Sequence, residues 1–202
     1  VGSPSSLSAA PSSTRLDEMA GQLAHTYASA LPFPHIVLDG AGVLPAELVR
    51  ALAAEFPPHG EGDTLTPGWG AHMDEGSQWK NCFLADEELM GPAARTAFGV
   101  LRSSLFVRFL QRLTGIEQLI PDPHLHGAGL QQTKRGGVLN VHAADVDIAS
   151  ELGLFRRASL FVYLNEGWKE AWGGALDLWN DAMEPSTAQR ILPILDRMVI
   201  FS

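Results

Sequence analysis

Cysteine is almost missing from this sequence: Cys82 is the only one in 202 residues. A lone thiol excludes an intrachain disulfide framework and a multi-cysteine zinc site, and it fits a reducing compartment. Cys82 reads as a buried thiol. Positive charge is also scarce, with 14 Lys and Arg against 23 Asp and Glu and a formal net charge of −9. Tracking phosphates requires clustered Lys and Arg, so the expected partners include neither nucleic acid nor an anionic membrane. Small molecules or proteins remain. No run approaches the roughly 18 apolar residues that span a bilayer, and the first residues lack the basic and apolar blocks of a secretory signal. The expectation is a soluble, cytoplasmic protein. A Gly-Lys-Ser/Thr phosphate loop, a nucleophile elbow and a thiol dyad are missing as well.

What is present is enough for one core. With 46% apolar residues, a chain of this length favours a single domain. Residues 1–14, VGSPSSLSAAPSST, have no hydrophobic period and are expected to be a disordered tail; residues 15–202 form the domain. Its first portion, 15–119, reads as mainly helical. Leu16, Met19, Ala20, Leu23 and Tyr27 recur at spacings of three and four, and Leu44, Leu48, Leu52 and Phe56 repeat every four residues after the short strand FPHIVLDG, which ends at a turn. Glu87 to Leu113 reads as helical, with Pro92 opening a new helix and Phe98, Leu101, Leu105, Phe109 and Leu113 as the core stripe. Between His59 and Trp79 the Gly-rich run reads as a long loop, a candidate part of a substrate lid.

From 120 to 202 the pattern changes to closely spaced strands: LQQT, a turn through Lys134-Arg135-Gly136-Gly137 into VLNVH, then SLFVYLN, ALDLW, ILPIL and MVIFS. Helices first and strands afterwards predict an α+β fold in which helices back a mainly antiparallel sheet. The chemistry centres on His142 at the end of VLNVH. An imidazole followed closely by acidic residues offers two donors to one cation. Taken alone, such a His and Asp read as an ordinary polar pair. His124 and His126, one residue apart in a loop, read as solvated without a third ligand. Trp168, Trp172 and Trp179 read as packing.

The order GGVLNVHAAD, FRRASLFVYLN, WGGALDLW and ILPILDRMVIFS resembles the prolyl-4-hydroxylase-like branch of the Fe(II)/2-oxoglutarate-dependent oxygenases, over about residues 120–202. The resemblance implies a double-stranded β-helix, or jelly roll, in which a His-x-Asp pair and a later His hold iron. It implies that His142 is the first iron ligand. Tyr163 would reach the distal carboxylate of 2-oxoglutarate, while Gln132 and Asn140 are further candidates for contact with this co-substrate. Gly173-Gly174 resembles the turn before the next core strand. The implied activity is hydroxylation or halogenation of an unactivated C–H of a small molecule, with decarboxylation of 2-oxoglutarate to succinate.

Two departures from the family pattern matter. Where the family has His-x-Asp, this sequence reads His142-Ala143-Ala144-Asp145. An Ala at position 144 resembles the 2-oxoglutarate-dependent halogenases, in which the missing carboxylate leaves room for chloride. Alternatively a bulge re-aims Asp145 or Asp147 as the metal ligand, or the site is disabled. The second departure is that no His follows His142, so the expectation is that the last strands, with the second His and an Arg for the oxo-acid, lie beyond Ser202. Two other readings stay open: a non-catalytic jelly-roll binding module that has lost its metal site, and a cupin-type metal protein.

Overall fold

A computed structural model describes residues 11–57, 70–72, 78–125, 128–142, 153–184 and 189–202. Helix α1, Ser13–Ala28, starts where the Ser12 hydroxyl accepts the Arg15 N–H at 3.3 Å, which satisfies one of the free donors of the first turn. Leu16, Ala20 and Tyr27 of its expected stripe are buried. The chain continues through β1 (His35–Asp39), α2 (Ala46–Ala54), β2 (Gly70–His72), β3 (Gln78–Leu84), α3 (Pro92–Leu101), α4 (Ser104–Thr114) and β4 (Leu130–Leu139). It ends with β5 (Ser159–Tyr163), a 3-10 turn at Glu170–Trp172, β6 (Leu176–Leu178), β7 (Gln189–Ile191) and β8 (Arg197–Phe201).

All named strand pairings are antiparallel, in the sets β1-β8-β5, β2-β3-β4 and β6-β7. The α+β class is therefore as expected. The first set positions the site, because its two faces pack against different layers. Residues alternate across a strand, so Ile36, Leu38, Leu160, Val162, Met198 and Ile200 share one face. They pack with Leu16, Ala20, Phe106, Phe109 and Leu113 of α1 and α4. On the opposite face Val37, Tyr163, Val199 and Phe201 meet Leu176, Leu178 and Ile191 of β6 and β7. Helices thus cover one side of the sheet, and a second, smaller sheet covers the other. A separate cluster joins Leu48, Val49 and Leu52 of α2 and Ala93, Ala94 and Ala97 of α3 to Cys82, Leu84 and Leu130. Cys82 is a buried free thiol, as its sequence context implies.

Several expectations are corrected. The run 59–79 is not one long loop, since Gly70–His72 and the start of β3 are strands. Their backbone partners lie on each other and on β4, so pairing rather than a local apolar period makes them strands. The helix read from Glu87 to Leu113 is two helices. Ser103 interrupts it and its hydroxyl accepts the Phe106 N–H at 3.2 Å, starting α4 afresh. That restart moves the buried stripe to Phe106, Phe109 and Leu113, leaving Leu105 exposed. Lys134-Arg135-Gly136-Gly137 is no hairpin turn. It lies within the single strand β4, where the register against β3 jumps: Trp79 pairs with Val138, but Asn81 pairs with Thr133. The extra residues form an irregularity that keeps one strand running. The strand read at ILPIL is shifted, as β7 ends at Ile191. Among the described residues no helix is long and apolar enough to cross a membrane.

Candidate active site

The candidate residues stand at strand ends in two different sheets: His142 follows β4 of the β2-β3-β4 set, while Tyr163 ends β5 and Arg197 opens β8 of the β1-β8-β5 set. Strand β4 stops at Leu139, so His142 stands just beyond it, exposed, and not on the strand as its sequence context implies. Its ring is nevertheless oriented locally. Nδ1 lies 2.8 Å from the Asn140 carbonyl oxygen, and a carbonyl can only accept, so Nδ1 carries the proton. That arrangement leaves Nε2 as the ring atom able to serve a metal. Fixing the tautomer through the other ring nitrogen is how proteins prepare a histidine ligand.

Tyr163 ends β5 on the face turned toward β6 and β7. Its ring stacks on Phe161 with centroids 6.3 Å apart. Burial pushes the phenol up to about 12, against a smaller downward pull from the Arg197 charge. At neutral pH the hydroxyl is therefore a proton donor, the form a carboxylate ligand requires.

Gln132 is buried on the same face of β4 as Leu130. Its amide Nε2 donates to the Pro57 carbonyl at 3.1 Å, beyond the end of α2. That bond directs the side chain toward the α2-α3 cluster. The side chain of Asn140 is exposed, and its backbone carbonyl is what orients His142. No hydrogen bond or ring contact joins His142 to Tyr163 among the described residues. Ala144, Asp145 and Asp147 lie outside the described residues, as do His59, His126 and residues 1–10 of the expected tail. Gly173 and Gly174 have φ of 73° and 71°, which a side chain rarely adopts, and the Trp168 indole donates to the Gly173 carbonyl at 2.9 Å. The expected turn is present there. Trp172, read from the sequence as packing, is 58% exposed and meets the Trp168 ring edge-on.

Arg197 and Asp39 escaped the sequence reading. Arg197 lies opposite Tyr163 on one side and Asp39 on the other, and its Nε and Nη2 donate to the two Asp39 carboxylate oxygens at 2.6 and 2.7 Å. The signal was present as Asp39 closing HIVLD and Arg197 opening RMVIF, two strand-end charges of opposite sign.

As a test for iron, the described residues contain no group of three His, Cys, Asp or Glu able to hold a metal ion. His142 fits as one ligand, through Nε2. For 2-oxoglutarate, the protonated Tyr163 hydroxyl fits as a donor to a carboxylate.

Residues 128–202 match the family model of the 2OG-Fe(II) oxygenase superfamily. The resemblance noted from the sequence thus holds over the segment carrying His142 and Tyr163. A crystal structure of a Pseudomonas putida prolyl-4-hydroxylase (P4H) is similar in fold, with a TM-score of 0.55 and 16% identity, over 91% of this chain and 86% of that one. No curated protein matches.

Proposed function

We propose that the protein is an Fe(II)/2-oxoglutarate-dependent oxygenase that hydroxylates or halogenates a C–H of a small molecule, on a double-stranded β-helix. The observation that carries this reading is the family match over 128–202, because it contains an imidazole held in the metal-binding tautomer and a phenol held protonated. The three-strand sheet facing β6-β7 supports the β-helix, being the start of two packed sheets. When bound, iron and 2-oxoglutarate would supply the activation of dioxygen, which is the oxidant: one oxygen atom ends in succinate as the oxo-acid loses carbon dioxide, and the other is available to oxidise the C–H. The chain's own part is simpler. His142 Nε2 would ligate the metal, with Asp145 as the candidate carboxylate, or chloride at Ala144 in the halogenase variant. Tyr163 would donate its hydroxyl proton in a hydrogen bond to the oxo-acid, and the apolar layer of Val199, Leu178 and Ile191 excludes water behind it.

A second reading, a non-catalytic binding module that has lost its metal site, is favoured by the exposure of His142 and by Ala144 standing where the family has Asp. One experiment separates the two. Metal analysis is combined with 2-oxoglutarate-dependent succinate release, with and without chloride. Iron retention with succinate release supports the oxygenase; neither iron nor turnover leaves the binding module. Chloride-dependent chlorination of an added substrate would assign the halogenase.

A further inference from the structure

Three strands meet in one row, with Asp39 opposite Arg197 and Arg197 opposite Tyr163. Directly opposed residues on antiparallel strands share a face, with Cβ atoms about 4.5–5.5 Å apart. The row therefore stands on the face that Val199 turns toward β6 and β7. Within it the guanidinium is held through all three of its nitrogens by two partners. Nε and Nη2 donate to Asp39 Oδ1 and Oδ2 at 2.6 and 2.7 Å, and Nη1 donates to the Leu192 carbonyl at 3.0 Å. The Asp39 side chain is 56% exposed and that of Arg197 17%, so the row runs from solvent at Asp39 inward. Tyr163 is its inner end, and its hydroxyl makes no hydrogen bond among the described residues.

A clamp between β1 and β8 needs only Asp39 and Arg197. The third member gives the arrangement a second use, because a fixed cation beside a phenol makes the O–H a stronger donor and draws an anion toward it. We infer that Arg197, immobilised by Asp39, is a positioning residue whose fixed charge biases the Tyr163 hydroxyl toward a carboxylate ligand. The identity of that ligand as 2-oxoglutarate rests on the oxygenase reading; the influence of Arg197 on Tyr163 does not.

The chain has two tyrosines, so a Tyr27→Phe protein labelled with 3,5-difluorotyrosine reports on Tyr163 alone. Fluorination makes the phenol more acidic and brings its ionisation into a range the fold survives. In fluorine NMR titrations without metal or ligand, Arg197→Met is expected to move the ionisation upward by about one unit, and Arg197→Lys, which keeps the charge, by less than half as much. Anaerobic 2-oxoglutarate binding with Fe(II) should weaken about tenfold in Arg197→Met, with partial rescue in Arg197→Lys. An unmoved ionisation in a folded Arg197→Met protein overturns the inference. Should that variant not fold, Asp39→Asn carries the test: removing the anion is expected to move the ionisation downward, and no movement overturns the inference. Unchanged 2-oxoglutarate binding in Tyr163→Phe would sink the oxygenase role of Tyr163 instead, leaving the titration to decide on Arg197.

Discussion

Glu55, just past the end of α2, caps α3 by accepting the backbone N–H of Ala93 at 2.7 Å and of Ala94 at 2.8 Å through its two carboxylate oxygens. An acid placed at a helix N-terminus satisfies free donors and meets the positive end of the helix dipole. Gly91 makes room for it, since a Cβ there would fall 2.3 Å from the Glu55 carboxyl carbon.

Removing this cap should therefore loosen the α2-α3 layer. Glu55→Ala is expected to destabilise the fold by about 1–2 kcal/mol, and Gly91→Ala by a comparable amount through displacement of the carboxylate. Urea unfolding followed by circular dichroism checks both. A Glu55→Ala protein with an unchanged midpoint would show that the cap contributes nothing.

Phe109 of α4 is fully buried and stacks with Phe106, centroids 5.4 Å apart, where α4 meets α1 and the sheet. Truncation there leaves a cavity as well as losing transfer energy. Phe109→Ala should cost about 3–5 kcal/mol in the same assay, whereas Leu105→Ala, on the exposed side of the helix, should stay within about 0.5 kcal/mol.

Two aspartates predict opposite responses to acid. The hydrogen bonds from Arg197, then its charge, hold the Asp39 carboxyl below its usual value in spite of some burial. Its stabilisation is complete above the ordinary aspartate value of about 3.9 and fades as pH falls through the lower folded-state value. Asp196 is shifted the other way, first by burial and further by Asp39, with Arg50 opposing. Its charge is disfavoured by the fold, so the cost is present at neutral pH and disappears below the ordinary value. Asp196 also has φ 61°, a conformation Asn tolerates well. Asp196→Asn is expected to raise the melting temperature at pH 7 and to leave it unchanged at pH 3, and Asp39→Asn to lower it at pH 7. Calorimetric scans across this range test the signs.

The metal assignment makes a sharp demand on one ring. His142→Ala should abolish iron retention and 2-oxoglutarate-dependent succinate release while leaving the melting temperature within about a degree or two, because an exposed side chain contributes little to stability. Full turnover in that variant would remove His142 from the site.

Tyr163→Phe separates binding from fold. Loss of one hydroxyl donor to a charged carboxylate is expected to weaken 2-oxoglutarate binding by about 1.5–3 kcal/mol, a tenfold change or more. The ring contact with Phe161 survives the substitution, so thermal stability should hardly move. Calorimetric binding alongside a thermal melt measures the two effects separately.

The sequence by itself determined the elements whose apolar period is local. The three-and-four spacing of Leu16, Ala20 and Tyr27 made α1, and the alternation in HIVLD, SLFVY and RMVIF made β1, β5 and β8. The same alternation turned Tyr163 toward the second sheet. Tertiary structure decided the rest, because pairing partners carry no signature in a short window. Strands β2 and β3 exist through their backbone bonds to neighbours, and β4 runs on through Gly136-Gly137 because β3 lies beside it. Asp39 and Arg197 stand 158 positions apart in the chain, so only the folding of β1 onto β8 brings that carboxylate to the guanidinium beside Tyr163.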